Sequence, residues 1–214
     1  MKRLLGILFV TAFTLGVNAQ DRDPKAKAIL DQLSEKAKDY TTVQATFDKV
    51  FTKGSTRATG SGSVTIKGKK FILKTGEGQD IYSDGRTVWT HIIDSKEVMK
   101  CSVEESLEDV QFDPSEMFTI WERDFKYKYD GEETIGGVSH HVIKLFPTKS
   151  DKGFHTIILK INKETLEIKQ FIIKGKDGST TQYTLTTFKT GMSLSDSMFM
   201  FNKAKHPGVE IFDC

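Results

Sequence analysis

"IYSDGRTVWTH", residues 81–91, reads as a β-hairpin with one unusual property. Ser83-Asp84-Gly85-Arg86 has turn chemistry, because Gly85 tolerates positive φ and Asp84 bonds readily to its own backbone. The flanks alternate as strands do, yet they set Tyr82 and Trp89 beside Ile81 and Val88. Large apolar groups therefore point to both faces of one hairpin. A sheet made of such strands needs cover on both sides, from protein or from a ligand.

Working outward, the same period recurs. Upstream, "VQATFDKVF" alternates Val43, Ala45 and Phe47 with Gln44, Thr46 and Asp48, "GSGSVTIKG" puts Val64 and Ile66 on one face, and "KKFILKT" pairs Phe71 with Leu73. Downstream come "VMKCSV", "FKYKY", "HHVIKLFP", "FHTIILKI", "IKQFIIK" and "QYTLTTF". Asp130-Gly131, Gly136-Gly137, Asn162-Lys163 and Asp177-Gly178 supply turn chemistry between them. Roughly ten or eleven short antiparallel strands, with no βαβ rhythm, predict a barrel or sandwich.

Two segments read as helices. In "DPKAKAILDQLSEKAKDY", Asp23 is an N-cap, Pro24 suits the first position, and Ala26, Ile29, Leu30, Leu33 and Ala37 form a narrow stripe. In "DPSEMFTIWERDF", Asp113 caps, Pro114 follows and Glu116 closes a capping box ahead of Met117, Phe118, Ile120 and Trp121. That second element is either a core-packing helix or a lid. Nothing marks a linker or a repeat, so residues 20–214 read as one domain.

The first residues have the order of a secretory signal: Lys2-Arg3, an apolar run from Leu4 to Val17, then Val17-Asn18-Ala19. The run, about 14 residues, is short for a bilayer span. Cleavage after Ala19 leaves Gln20 at the front, with no cysteine there to take a lipid anchor. Removing Lys2 and Arg3 from 31 basic residues leaves 29, against 29 acidic ones. A nearly neutral chain without a basic run argues against nucleic acid. Export permits a disulfide between Cys101 and Cys214, although sequence says nothing of their separation.

Catalytic chemistry finds little footing. His140 and His141 are adjacent on a strand and point to opposite faces, while His91, His155 and His206 lack metal-ligand spacing. There is no G-x-S-x-G elbow, and Cys101 has no thiol-enzyme flank. "EESLEDVQFD", residues 104–113, reads as an exposed acidic loop, and "TGEGQD" lacks the strand-to-helix context of a phosphate loop. What is enriched is soft and aromatic, with 15 Phe and 6 Met, which suits a filled core or a concave apolar site.

The order of segments resembles the periplasmic outer-membrane lipoprotein carrier family, LolA. A helix is followed by "ATFDKVF", "GSGSVTIKGKKFIL" and "IYSDGRTVW", and the chain closes on "SMFMFNKAKHPGVEIFD", which is similar to that family's ending. The resemblance implies a mainly β fold with short helices: an incomplete, half-open antiparallel barrel of about eleven strands covered by a helical lid. It implies an acyl-chain cavity with Phe47, Val64, Ile66, Phe71, Leu73 and Trp89 on the sheet and Met117, Ile120 and Trp121 on the lid. It further implies a periplasmic, monomeric carrier without catalysis or cofactor. Such a carrier receives acylated lipoproteins from an inner-membrane ATP-driven transporter and yields them to an outer-membrane acceptor. Other readings are a non-catalytic lipid-binding or sensing domain of the envelope, and a hydrolase of envelope glycans. One departure stands out. Where the family has K-R-P, this chain reads Lys67-Gly68-Lys69, so the arginine that latches the lid in that family is absent at Gly68, and Lys70 and Arg57 are out of register.

Overall fold

The computed structural model describes residues 22–109 and 113–214, so the expected signal segment at residues 1–19 lies outside them. Helix α1 spans Pro24–Lys38. It begins as its sequence directs, with Asp23 Oδ1 accepting from the backbone N–H of Lys25 (2.8 Å) and of Ala26 (3.1 Å). The strands then follow in chain order: β1 Val43–Lys53, β2 Thr56–Lys67, β3 Lys70–Lys74, β4 Gln79–Ser83, β5 Thr87–Ile92 and β6 Glu97–Ser102. After helix α2 (Val103–Asp109) come β7 Phe125–Ile135, β8 Val138–Pro147, β9 Phe154–Asn162, β10 Ile168–Gly175, β11 Thr180–Thr190 and β12 Glu210–Asp213.

Among the described residues these make one open sheet of 12 strands, ordered β12-β6-β5-β4-β3-β2-β1-β11-β10-β9-β8-β7. Its two ends, β12 and β7, do not pair with each other, so the curved sheet never closes. Neighbours are antiparallel except β12, which runs parallel to β6. This twelfth strand goes beyond the expected eleven, and a tail returning over the sheet builds it.

The hairpin quoted at the outset forms β4 and β5, and its turn is built as expected. Asp84 Oδ1 accepts from the N–H of Arg86 (2.9 Å) and Thr87 (2.8 Å). Three other expectations need correction. Asp130-Gly131 is no turn but a bulge inside β7, where the register with β8 shifts between Tyr129 and Gly131. The stretch Glu104–Asp109 is not loop but most of α2, started by Ser102 Oγ accepting from the N–H of Glu105 (3.2 Å). The expected helix from Pro114 to Trp121 breaks into two 3-10 turns, Pro114–Glu116 and Ile120–Glu122. Asp113 does cap the first turn, but Glu116 does not close a capping box, because its carboxylate pairs with Arg123 at 2.7 Å.

Two apolar clusters explain the two-faced hairpin. On the concave side α1 buries Ile29, Leu30 and Leu33 against the sheet, each worth about 1.5–3 kcal/mol. Met117, Phe118 and Trp121 join that cluster, as do Ile143, Leu145, Ile157, Leu159 and Ile161 of β8 and β9. On the convex side Ile72, Tyr82, Trp89 and Val98 are covered by Phe199 and Val209 from the tail.

That tail, residues 191–209, is a strap with defined anchors. Thr42 Oγ1 donates to the Met192 carbonyl at 3.0 Å and accepts from its N–H at 2.7 Å. Lys67 and Lys70 both pair with Asp196, at 2.8 and 2.6 Å, and hold its carboxyl down at about 2. The far end is covalent, since Cys101 on β6 is disulfide-bonded to Cys214 with Cα atoms 5.0 Å apart.

Candidate functional site

The concave face is unevenly filled. α1 and the two 3-10 turns occupy the half formed by β7 to β11 with β1 and β2. Over the half formed by β3 to β6 and β12, the described residues leave a cavity of about 770 Å³, with α2 and the first 3-10 turn at its edge. Phe71, Leu73, Ile81, Val88, Ile92 and Met99 supply its apolar floor, and Pro114 meets it from the first 3-10 turn. A second, almost wholly apolar cavity of about 280 Å³ adjoins it across Leu73 and Pro114, and is walled by Phe47, Val64, Met117 and Phe171. The larger volume is of the size of ordinary ligand sites, roughly 300–1,000 Å³.

Strand pairing sets this floor. Val64 faces Leu73, Leu73 faces Ile81, Ile81 faces Thr90, Thr90 faces Met99, and Met99 faces Phe212. One row of side chains thus crosses six strands. A parallel row runs Ile66, Phe71, Ser83, Val88 and Cys101, and the disulfide to Cys214 ends it. Where Phe47 crosses β2, Gly62 leaves room for it, since a Cβ there would lie 2.6 Å from Phe47 Cζ. Phe47 then meets Tyr183 edge-on with centroids 5.4 Å apart, and burial pushes the Tyr183 hydroxyl up from its usual range.

The rim is polar and mostly acidic. Glu104, Glu105, Asp113 and Glu116 stand around the larger cavity with Lys69. The Glu105 carboxyl is held below its usual range by the Ser102 hydroxyl (2.7 Å) and backbone N–H (3.0 Å) that donate to it. An apolar floor with a solvated rim suits a long apolar ligand that keeps a polar end in water. Histidines are not gathered here. His140 is buried with Nδ1 2.8 Å from the Val138 carbonyl, His141 lies beside Tyr129, and His91 packs on the convex face.

The residues expected at the site are distributed as follows. Phe47, Val64, Phe71, Leu73 and Met117 line the two joined cavities. Ile66 and Gly68 line a separate pocket of about 260 Å³ between α1 and the 3-10 turns. Ile120 and Trp121 pack into the core behind the cavities. Trp89 is not brought to the concave side; it faces Tyr82 across the hairpin, under the strap. Period-2 alternation places Trp89 opposite Val88, but which of the two faces is concave depends on residues far along the chain.

Sequence reading misses what holds the 3-10 segment down. Trp121 Nε1 donates to Ser34 Oγ at 3.1 Å, and Ser34 Oγ donates to the Phe118 carbonyl at 3.4 Å. Gly68, where the arginine is absent, has φ +57 and open space around its missing Cβ. Lys70 points to the strap on the other face instead.

This half-filled, open sheet has known counterparts. A model of the family described as outer membrane lipoprotein carrier protein LolA matches residues 38–202. The chain belongs to the LolA family. That family is one of lipid- and lipoprotein-binding proteins of the cell envelope. A comparison with curated proteins finds no match. Among solved structures, an uncharacterized conserved protein from Thermus thermophilus superposes with a TM-score of 0.60 at 13% identity, over 89% of this chain and 99% of that one. The Mycobacterium tuberculosis lipoprotein LppX gives 0.51 at 15% identity, over 81% and 100%. A LolA superfamily protein from Nitrosomonas europaea gives 0.49 at 15% identity, over 82% and 97%. At such identities the first two likenesses speak for the half-barrel fold alone. As befits a LolA-like chain, the sheet stays open, and in the described residues no helix is long and apolar enough to cross a membrane.

Proposed function

We infer that this protein is a periplasmic carrier that takes the acyl chains of lipoproteins into its concave face and moves them from the inner to the outer membrane. The observation that carries the reading is the half-filled concavity: a floor of Phe71, Leu73, Ile81 and Val88 left beneath about 770 Å³ of open volume. A protein selected only for stability would fill that space, because each buried methylene is worth about 0.8 kcal/mol. The acidic rim keeps a headgroup or the attached polypeptide at the water boundary. In this reading the donor is an inner-membrane ATP-driven transporter and the acceptor lies on the outer membrane. The protein itself supplies binding and release.

The test is native mass spectrometry of the protein isolated from periplasm after co-expression with an acylated lipoprotein. The carrier retains the acylated mass, and Leu73→Glu, which sets a carboxylate between the two cavities, sheds it while keeping its circular dichroism. Wild-type protein that stays free of acylated mass when lipoprotein is abundant would refute the reading.

A further inference from the structure

The row from Val64 to Phe212 has a gradient along it. Val64 is 5% exposed, Met99 37% and Phe212 42%. Neither Met99 nor Phe212 is covered by the strap, which lies on the other face. Cys214, two residues beyond Phe212 and so on the same side of β12, lines the larger cavity together with Cys101. At its open end the concave floor therefore meets the last residues of the chain: Cys214 lines the cavity, Phe212 stands in register with Met99 just beyond the lining, and a disulfide spanning 113 residues attaches them.

Lengths fit this placement. Strands stand about 4.8 Å apart, so Leu73 on β3 is roughly 14 Å from Met99 on β6 and roughly 19 Å from Phe212 on β12. A bilayer core of about 30 Å holds two layers of acyl chains, so one chain of membrane length spans roughly 15 Å. A chain that starts at Leu73 and lies across the strands therefore ends over β6, and β12, one strand spacing of about 4.8 Å further on, stands as the next surface beyond its terminal methylenes.

We propose that β12 is the end wall of the acyl track: Phe212 receives the terminal methylenes of a membrane-length chain, and the Cys101–Cys214 disulfide holds that wall in place. The full-length site then exists only in the oxidised protein. This rests on the lipid-binding reading of the concave face, and the experiment separates the two.

The assay is displacement of N-phenyl-1-naphthylamine by octanoate and by palmitate. It is run on oxidised wild type, wild type reduced with a phosphine, Cys214→Ser, Phe212→Asp and Leu73→Glu, each shown to be folded at the assay temperature. Phe212 is exposed, so Phe212→Asp tests the wall without a core defect. Each buried methylene changes Kd about fourfold, so losing two or three weakens palmitate by about tenfold or more. Reduction, Cys214→Ser and Phe212→Asp are expected to do this and to leave octanoate within about twofold, whereas Leu73→Glu weakens both ligands. If Leu73→Glu abolishes binding but the β12 changes leave palmitate untouched, or weaken both ligands alike, the end wall is refuted and the lipid site stands. If wild type binds neither ligand, or Leu73→Glu binds as wild type does, the lipid reading fails and the end wall fails with it.

Discussion

Ser34 ties α1 to the segment that flanks the cavity, and removing it has a calculable effect. In Ser34→Ala the indole N–H of Trp121, a residue 2% exposed, loses its acceptor deep in the core. An orphaned buried donor costs about 1–3 kcal/mol. The Phe118 carbonyl loses a longer bond of 3.4 Å and adds little. Trp121→Phe removes the donor and keeps most of the ring, so in the Ser34→Ala background it relieves the orphan rather than creating a second defect. The two changes should therefore be non-additive by about 1–2 kcal/mol, the double variant being more stable than the sum of the singles. Urea unfolding of the four proteins measures this, and Ser34→Ala alone should lower Tm by roughly 4–8 °C if it loses about 2 kcal/mol. Amide exchange of residues 113–122 should quicken in Ser34→Ala more than exchange in β8 and β9. Additivity within about 0.5 kcal/mol, with unchanged exchange in that segment, would refute Ser34 as the pin.

Other consequences concern the strap, the disulfide and the turn at Gly68. His91 packs against the stacked rings of Phe201 and His206 of the strap, with Asp80 opposite on β4; burial first, then His206, hold its imidazole below the usual range while Asp80 counters in part. The unfolded chain then binds the proton that the folded one refuses, so this contribution is complete above about pH 6.5 and is lost as pH falls; His91→Gln should flatten the fall in urea stability between about pH 7.5 and 5, and equal slopes would exclude the effect. Opening the disulfide frees a loop of 113 residues, which in the chain-entropy account is worth up to about 4.7 kcal/mol, so calorimetry with and without reductant should show Tm falling by roughly 10–20 °C. At Gly68, with φ +57, both Gly68→Ala and Gly68→Arg should lose about 1 kcal/mol from the left-handed backbone, but only the arginine should slow uptake of an apolar fluorophore; equal uptake by both would show that no latch belongs there.

Local chemistry makes most of the fold legible. The β4–β5 hairpin follows from Asp84 and Gly85, and α1 from Asp23, Pro24 and its stripe, because turn and cap preferences act over a few residues and need no distant partner. The same locality explains the errors. Asp130-Gly131 has a turn's composition, yet the flanking strand pairs with β8 on both sides and absorbs it as a bulge. The segment after Pro114 has helical periodicity, but burying Met117, Phe118 and Trp121 in an existing core leaves it two separate 3-10 turns. For the site, Phe47, Val64, Phe71 and Leu73 can be assigned to one face, since alternation fixes parity. Trp89 falls on the other side because parity does not say which face is concave. That depends on a strap more than 100 residues later, and the end of the cavity depends on a cysteine pair whose separation no sequence displays.

The division of the concave face into a filled and an open half bears on how the proposed carrier would work. Complete burial of a chain of about 16 carbons is worth roughly 13 kcal/mol, tighter than nanomolar, and release from such a site would be slow. A floor covered on one side only takes up about half of the chain's surface. The gain is then roughly 6 kcal/mol, a dissociation constant between micromolar and millimolar for each chain. Two or three chains held together restore useful affinity, and each can leave in turn. The filled half, with α1 pinned by Ser34 and the β8–β9 aliphatics wholly buried, supplies the stability that the open half forgoes. The strap on the convex face matters for the same reason. A two-faced sheet that leaves one face free for ligand must bury the other with its own chain, and Phe199 and Val209 over Tyr82 and Trp89 do that. The hairpin with large apolar groups on both sides is therefore the local signature of a sheet with one side for packing and one side for binding.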